Sequence, residues 1–316
     1  MIPTPVVILL ATYNGADFLV EQLQSLLGQS HPHCHILIRD DGSSDQTPAI
    51  VEGFRAQYPT QITVLSGPNL GFVGNFLALI AAAPPGQAGY FFCDQDDVWL
   101  PHKVEQALQK IQQADSTGEQ PVLYFGRLSV VDSELKPLAL SPLINRWGLG
   151  NALFENPVTG CTMAINSPAL QLLQRYPAKP DRIVAHDWWC YLLATAFGRL
   201  VYDPEPLILY RQHAKNSLGA SGSRWQALQV RWQNFRAGRW AKRRPEPMIA
   251  HFLQLYEEIL PAQQKSLIET ASLQRRGLGP CLLLWLKGSI WRRGWFNQAL
   301  LLLLLCKGPE KSPSLR

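Results

Sequence analysis

The stretch "YFFCDQDDVWL", residues 90–100, runs an apolar strand directly into Asp94, Asp96 and Asp97 before apolar character resumes at Val98. Carboxylates that close repel one another and cost free energy unless something neutralises them. At a strand end, alternation predicts that Asp94 and Asp96 lie on one side of the backbone. Hard oxygen donors at that spacing suit Mg2+ or Mn2+, which joins one or two carboxylates to a diphosphate. The competing reading is an acidic helix start, favoured by the helix macrodipole. The Asp94 and Asp96 pair fits the first reading, whereas Asp97 fits the second, as a residue that helps begin the following helix.

Outward from this stretch the chain alternates between two periods. Residues 6–11, 35–38, 62–65 and 90–93 are short β-branched or aliphatic runs. Between them, 16–27, 47–58 and 72–83 carry apolar residues at helical spacing, and 101–114 follows with Pro101 near its first turn. That cadence predicts a parallel sheet covered by helices on both faces. Ligands of such sheets bind outside the carboxyl ends of the strands. The polar clusters fall at those ends: Thr12-Tyr13-Asn14, Asp40-Asp41, Asn69 and Asp94-Gln95-Asp96.

In "DDGSSD", residues 40–45, Gly42, Ser43 and Asp45 read as turn and cap chemistry. One carboxylate facing the crevice could hold a nucleobase or ribose by accepting its hydrogen bonds. Neither GxGxxG nor GxxxxGK[ST] occurs, so the dinucleotide and P-loop fingerprints are absent. Beyond residue 114 the alternation loosens. Residues 122–125, 128–131, 162–165, 200–202 and 207–210 read as strands, and 186–197 as an aromatic-rich helix.

The 316 residues suffice for one large domain or two modest ones, and 47% apolar with 17% charged residues describes a globular chain. The opening MIPTPVVILLATYNG reads as a first strand rather than a signal peptide, and no run reaches the roughly 18 apolar residues of a spanning helix. Six scattered cysteines without a CxxC pair read as reduced, cytosolic packing residues. His31, His33, Cys34 and His35 sit at the start of a strand, opposite the crevice, and read as surface loop and strand. Charge divides the chain. From Ser221 onward 16 Lys and Arg stand against 5 Asp and Glu, while the preceding part is net acidic.

Seven blocks, "ILLATYNGADFLVEQLQSLLGQ", "IRDDGSSDQT", "NLGFVGNF", "FCDQDDVWLPHKV", "VTGCTMAIN", "HDWWCYLLATAFG" and "PLILYRQHAKNSLGA", occur in the order of family 2 glycosyltransferases. The chain resembles that family over about residues 5–220, and within it the bacterial rhamnosyltransferase-like subgroup of surface-polysaccharide synthesis. The resemblance implies an α/β GT-A fold, a mixed, mostly parallel sheet flanked by helices with a C-terminal helical region. It also implies a nucleotide-diphosphate sugar donor, a divalent cation and inversion at the anomeric carbon. Carried over by position, Thr12, Tyr13 and Asp41 line the nucleoside pocket, with Asn14 and Asp40 beside them, and Asn69 and Asn75 form a further donor-side block. Asp94 and Asp96 match the DxD motif, with Asp94 also on the donor side. Asp187 matches the catalytic base, and Trp188, Gly160 and Cys161 fall on the acceptor side. Arg211 and His213 stand where many members carry QxxRW, which is absent here. The expectation places Arg211 on the departing diphosphate and His213 either on the metal or on a phosphate.

The resulting expectation divides the chain into a catalytic domain, 1–220, and a basic, Trp- and Leu-rich helical region, 221–316. Residues 224–244, "RWQALQVRWQNFRAGRWAKRR", interleave aromatic with basic residues. Such a segment fits nucleic acid or a membrane surface, and the short apolar runs that follow favour interfacial helices on an anionic leaflet. A helical subdomain packed on the catalytic body is the alternative. The expected enzyme moves a deoxyhexose, rhamnose from dTDP-rhamnose, to a cell-surface glycan or lipid-linked saccharide. It would sit in the cytoplasm, peripheral on the inner face of the cell membrane, without a nucleic-acid partner. Rival readings are a sugar nucleotidyltransferase, whose basic Gly-rich loop is missing from ATYNGADF, and a non-catalytic nucleotide-sugar-binding scaffold. A phosphatase with an Asp nucleophile would want DxDxT or DxDxS after the first strand.

Overall fold

The computed structural model describes residues 4–213, 245–272, 278–293, 297–299 and 301. The central strand is β1 (Val6–Thr12), buried at all seven positions. It pairs in parallel with β2 (Cys34–Asp40) on one side and β4 (Gly89–Cys93) on the other, and β3 (Ile62–Ser66) adds in parallel outside β2. Such a strand needs apolar residues on both faces, and alternation divides them. Val6, Ile8 and Leu10 pack in one core with Leu19, Leu23 and Leu26 of α1 (Leu19–Leu27). Val7, Leu9 and Ala11 pack in the other with Phe76, Leu79 and Ile80 of α3 (Gly71–Ala82). Helices α2 (Thr47–Gln57) and α4 (Lys103–Ala114) complete the alternation read from the sequence.

Beyond β4 the sheet turns mixed. Its order is β3-β2-β1-β4-β8 (Ala164–Ile165)-β6 (Val122–Val131)-β9 (Arg199–Arg211)-β5 (Val98–Trp99), with β7 (Pro137–Leu140) on β6. Strand β8 is antiparallel to both β4 and β6, so it interrupts the parallel pairing. The two expected strands at 122–125 and 128–131 are one, β6 (Val122–Val131), and those at 200–202 and 207–210 are one, β9 (Arg199–Arg211). They pair in parallel with register shifts around Arg127, where β9 passes Pro204 and Pro206. Prolines punctuate a sequence pattern, but a bulged strand continues past them. Strands β5 (Val98–Trp99) and β7 (Pro137–Leu140) and the short helix α5 (Leu149–Ala152) had no sequence signal. Helix α6 (Ser167–Arg175) had one that went unread: Asn166 accepts from the Ala169 N–H as its cap, with Pro168 in the first turn.

Helix α7 (His186–Phe197) crosses the second core. Met248, Ile249, Phe252 and Tyr256 of α8 (Glu246–Tyr256) are buried in that same core, with the Trp189 ring 5.3 Å from that of Phe252. Helices α9 (Ala262–Ala271) and α10 (Leu278–Leu286) follow. The expected boundary at 219–223, the basic stretch 224–244 and most of the leucine run at 300–305 lie outside the described residues. Among the described residues, no helix is long and apolar enough to cross a membrane.

Candidate active site

Strand β4 ends at Cys93, and residues 94–97 form a turn rather than a continuation of the strand. Alternation therefore does not govern the acids, and the turn sends them apart. Asp94 faces Asp97 and the Cys161 thiol, with one ligand atom from each within 4.8 Å of the others. Asp96 Oδ2 lies 2.9 Å from His213 Nε2. Burial, and then the charges of Asp97, Asp96 and Asp187, hold the Asp94 carboxyl well above the usual range. Asp97 does not begin the next helix. Strand β5 intervenes, α4 starts after His102, and Asp97 is fully buried with a pKa pushed up to about 8, chiefly by desolvation.

Gln95, the spacer between the two motif acids, joins the turn to the end of β1. Its Oε1 accepts from Thr12 Oγ1 at 2.9 Å and from the Tyr13 N–H at 2.8 Å, and its Nε2 donates to the Tyr13 carbonyl at 3.1 Å. The approach requires Gly15, since a Cβ there would lie 2.3 Å from Gln95 Oε1.

The other strand ends meet beside it. Asp41 Oδ1 accepts from Arg39 Nη1 at 2.5 Å and from the Leu70 N–H at 2.8 Å. Asn75 accepts from the same guanidinium at 3.0 Å and donates to the carbonyls of Thr12 and Arg39. Asp40 accepts from the Ser43 N–H and hydroxyl. Asn14, at φ 48°, accepts from the Ser44 N–H at 2.8 Å through its side chain. Thr12, Asp41 and Asn75 are thus buried framework, whereas Tyr13, 48% exposed, and Asn69 face the solvent.

Arg211 is the centre of a brace. Its side chain is 2% exposed; Nη2 pairs with Glu21 of α1, Nη1 donates to the Ser133 carbonyl, and Nε donates to the Asp96 carbonyl at 3.0 Å. Its N–H donates to Asp97 Oδ1 at 3.2 Å, and the Phe18 ring lies 4.6 Å from the guanidinium. The group expected on the diphosphate is therefore engaged in tying α1 and the β6–β7 turn to the acid turn. Neither Glu21 nor Gln95 carried a sequence signal for this.

Asp187 lies in the first turn of α7, after Ala185 as the cap residue. Its Oδ1 accepts from the Trp188 N–H at 2.7 Å, and burial raises its pKa to about 6. His186 beside it is buried with neither ring nitrogen hydrogen-bonded, 3.8 Å from the Phe76 ring centroid and 5.1 Å from that of Phe72. Burial lowers its pKa to about 3, so the ring is neutral. Gly160 is where the chain must pass close: a Cβ there would lie 2.8 Å from His186 Nε2 and 3.7 Å from Asp187 Cβ. Of the residues expected on the acceptor side, Trp188 is packed, with Nε1 donating to the Ala152 carbonyl at 2.6 Å. Cys161 is fully buried, its thiol raised by burial and by Asp97 and Asp94.

Among the described residues, the donors gathered within 4.8 Å of one another are Asp94, Asp97 and Cys161, whereas Asp96 pairs with His213, so the expected set of Asp94, Asp96 and His213 is not assembled as one cluster. Burial first, and then the neighbouring carboxylates, disfavour a charged Asp94, and a nearby cation would oppose both effects. Asp187, on the other wall, is a carboxylate whose affinity for a proton suits general-base work near neutral pH.

A profile described as Glycosyl transferase family 2 matches residues 7–179. Over 225 residues, 67% of this chain and 74% of the other, the sequence is 32% identical to a dTDP-rhamnosyl transferase, RfbG, of Shigella flexneri. It is 28% identical over 221 residues, 66% of this chain and 65% of the other, to an uncharacterised glycosyltransferase of Nostoc sp.. Among solved structures, S. aureus TarS 1–349 in complex with UDP covers 85% of this chain and 70% of its own, with a TM-score of 0.53 at 16% identity. GalNAc-T7 with UDP, GalNAc and Mn2+ covers 81% of this chain and 54% of its own, with a TM-score of 0.54 at 11% identity. At such identities the likeness shows the GT-A fold alone.

Proposed function

The chain belongs to glycosyl transferase family 2, and from that premise we propose an inverting, metal-dependent transfer of rhamnose from dTDP-rhamnose to a lipid-linked or surface glycan. The observation that carries the mechanism is Asp187: a half-buried carboxylate with a pKa of about 6, close enough to Asp94 for its charge to raise that group. The relative named for dTDP-rhamnose supports the choice of donor.

Asp187 takes the proton of the acceptor hydroxyl as that oxygen bonds to the anomeric carbon and the nucleoside diphosphate leaves from the opposite face. The neutral ring of His186, stacked on Phe76, puts no positive charge beside this carboxylate that would lower its basicity. Tyr13 and Asn69 contact the nucleoside; Thr12, Asn14, Asp40, Asp41 and Asn75 shape the pocket behind them. Asp94 and Asp96, with His213 once it parts from Asp96, would hold the divalent cation, which would offset negative charge on the diphosphate. Arg211 acts here as a positioning residue, holding the turn that carries Asp96 and the strand end that carries His213. Gly160 admits the His186 and Asp187 pair. The net-basic C-terminal region is proposed to keep the enzyme on the cytoplasmic face of the membrane, beside its acceptor.

The test is a panel of nucleotide sugars, each with and without Mn2+ or Mg2+, scored for nucleoside diphosphate release. Release from dTDP-rhamnose that needs the cation is the expected result. Release from a UDP-hexose with none from dTDP-rhamnose would overturn the sugar assignment.

A further inference from the structure

Helix α10 exposes the wrong face for a protein in water. Leu282, Leu283 and Leu286 are 42%, 52% and 66% exposed, and their i, i+1, i+4 spacing places them on one side of the helix. The neighbouring Leu284 and Trp285 pack against the core, so the helix is anchored and its leucine side is fixed outward. A surface helix ordinarily turns polar residues to water.

The surroundings are mostly cationic, and Glu155, the acid beside Trp291, is paired with Arg293. Lys287 follows the stripe and is exposed. Arg146 reaches over from the loop after β7, donating to the Gly288 carbonyl at 3.1 Å and lying 3.9 Å from the Trp291 ring. Leu143, in the same loop, is 54% exposed. From Ala271 to Pro309 the chain has six Lys or Arg and no Asp or Glu. Apolar side chains rimmed by cations and amphipathic tryptophan match the boundary of a bilayer carrying anionic headgroups. A second copy of the chain fits less well, because a two-fold contact would set each cationic rim against its equal. Nine residues span only about 14 Å, so the helix lies along the surface rather than through it.

The stripe is also tied to the acceptor side. The Ser289 carbonyl presses on Gly150, where a Cβ would lie 1.8 Å away, and Asn151 Nδ2 donates to the Trp291 carbonyl at 3.3 Å. The next residue, Ala152, accepts from Trp188, which follows Asp187.

We propose that Leu282, Leu283 and Leu286 of α10, with Lys287 and Arg146, form the surface on which an anionic lipid bilayer docks. Through residues 148–152 that surface adjoins the wall carrying Asp187. The proposal rests on the glycosyltransferase reading only for the meaning of this placement; the docking itself stands apart.

The test uses the full chain and sedimentation with vesicles of phosphatidylglycerol and phosphatidylcholine, against phosphatidylcholine alone. The combined variant Leu282→Gln, Leu283→Gln, Leu286→Gln is expected to weaken partitioning into the anionic vesicles about tenfold. Lys287→Glu is expected to weaken it less, and only at low salt. Leu138→Gln with Leu140→Gln, an equally exposed pair on β7, serves as control and leaves binding unchanged. Unaltered binding by the α10 variant overturns the proposal. So does loss of a lipid-free dimer in that variant, which would make the stripe an interface between copies. Nucleoside diphosphate release with a soluble acceptor stays within about twofold in the α10 variant. Failure of release in the unaltered protein would sink the glycosyltransferase reading while leaving the docking result intact.

Discussion

The two walls of the crevice are built on opposite principles. On the wall proposed to hold the donor, polar side chains at the ends of β1 and β2 satisfy one another: Gln95 holds Thr12 and Tyr13, Arg39 joins Asp41 to Asn75, and Asp40 closes on Ser43. On the wall proposed to meet the acceptor, His186 is buried among aromatic rings with both ring nitrogens unanswered. A satisfied network is rigid and leaves charge where geometry puts it. An apolar wall shifts equilibria, and Asp187 pays for its surroundings with a raised pKa. The first wall suits holding a polar ligand in register, and the second suits moving one proton.

The strongest way to break this division is Asp187→Asn. The expected result is a fall in kcat of about 10²–10⁴ with nucleotide affinity within about twofold, measured by turnover and by calorimetry. Equal losses in both would place Asp187 on the donor wall.

Arg211→Met, which removes the brace beneath the acid turn, is expected to lower turnover about a hundredfold and to raise the Mn2+ concentration for half-activation. Glu21→Gln, a change outside the crevice, should do the same about fivefold. A rise in the donor KM with an unchanged metal requirement would return Arg211 to the diphosphate.

Acidity probes the apolar wall directly. A base with a pKa of about 6 is protonated below that pH, so log kcat/KM should fall with slope near one on acidification through pH 6 and flatten above it. A profile flat down to pH 5 would mean that Asp187 does not titrate in the free enzyme as this wall requires.

Two substitutions sharpen the account of His186. Gly160→Ala places a Cβ 2.8 Å from His186 Nε2 and should destabilise by about 1–3 kcal/mol in thermal unfolding. His186→Phe replaces a ring without hydrogen bonds by one that needs none, and should alter stability by less than about 1 kcal/mol. A larger loss would reveal a partner for the imidazole.

The legible part of the fold was its local part. Strands β1 to β4 and the helices between them each announce a period within a dozen residues, and Asp187 and Asp94 sit in short blocks. The bulged strands β6 and β9 did not announce themselves, because Pro204 and Pro206 interrupt a pattern that only pairing with β6 continues. The direction of Asp96 was misread for a related reason: β4 stops at Cys93, and nothing local shows where a strand ends and a turn begins.

What the sequence by itself determined is the alternating α/β order, the family and the identity of the acids at the strand ends. What only the tertiary structure decided is how those acids are used. Gln95 meets Tyr13 across 82 positions and Arg211 meets Glu21 across 190. Contacts at such separations leave no periodicity in the chain, since periodicity records only which face of a strand or helix is buried. For α10 the sequence offers an interfacial helix or a packed one, and the fold packs Leu284 and Trp285 while leaving Leu282, Leu283 and Leu286 exposed. Composition says that a residue is apolar, and only packing says whether the protein itself covers it.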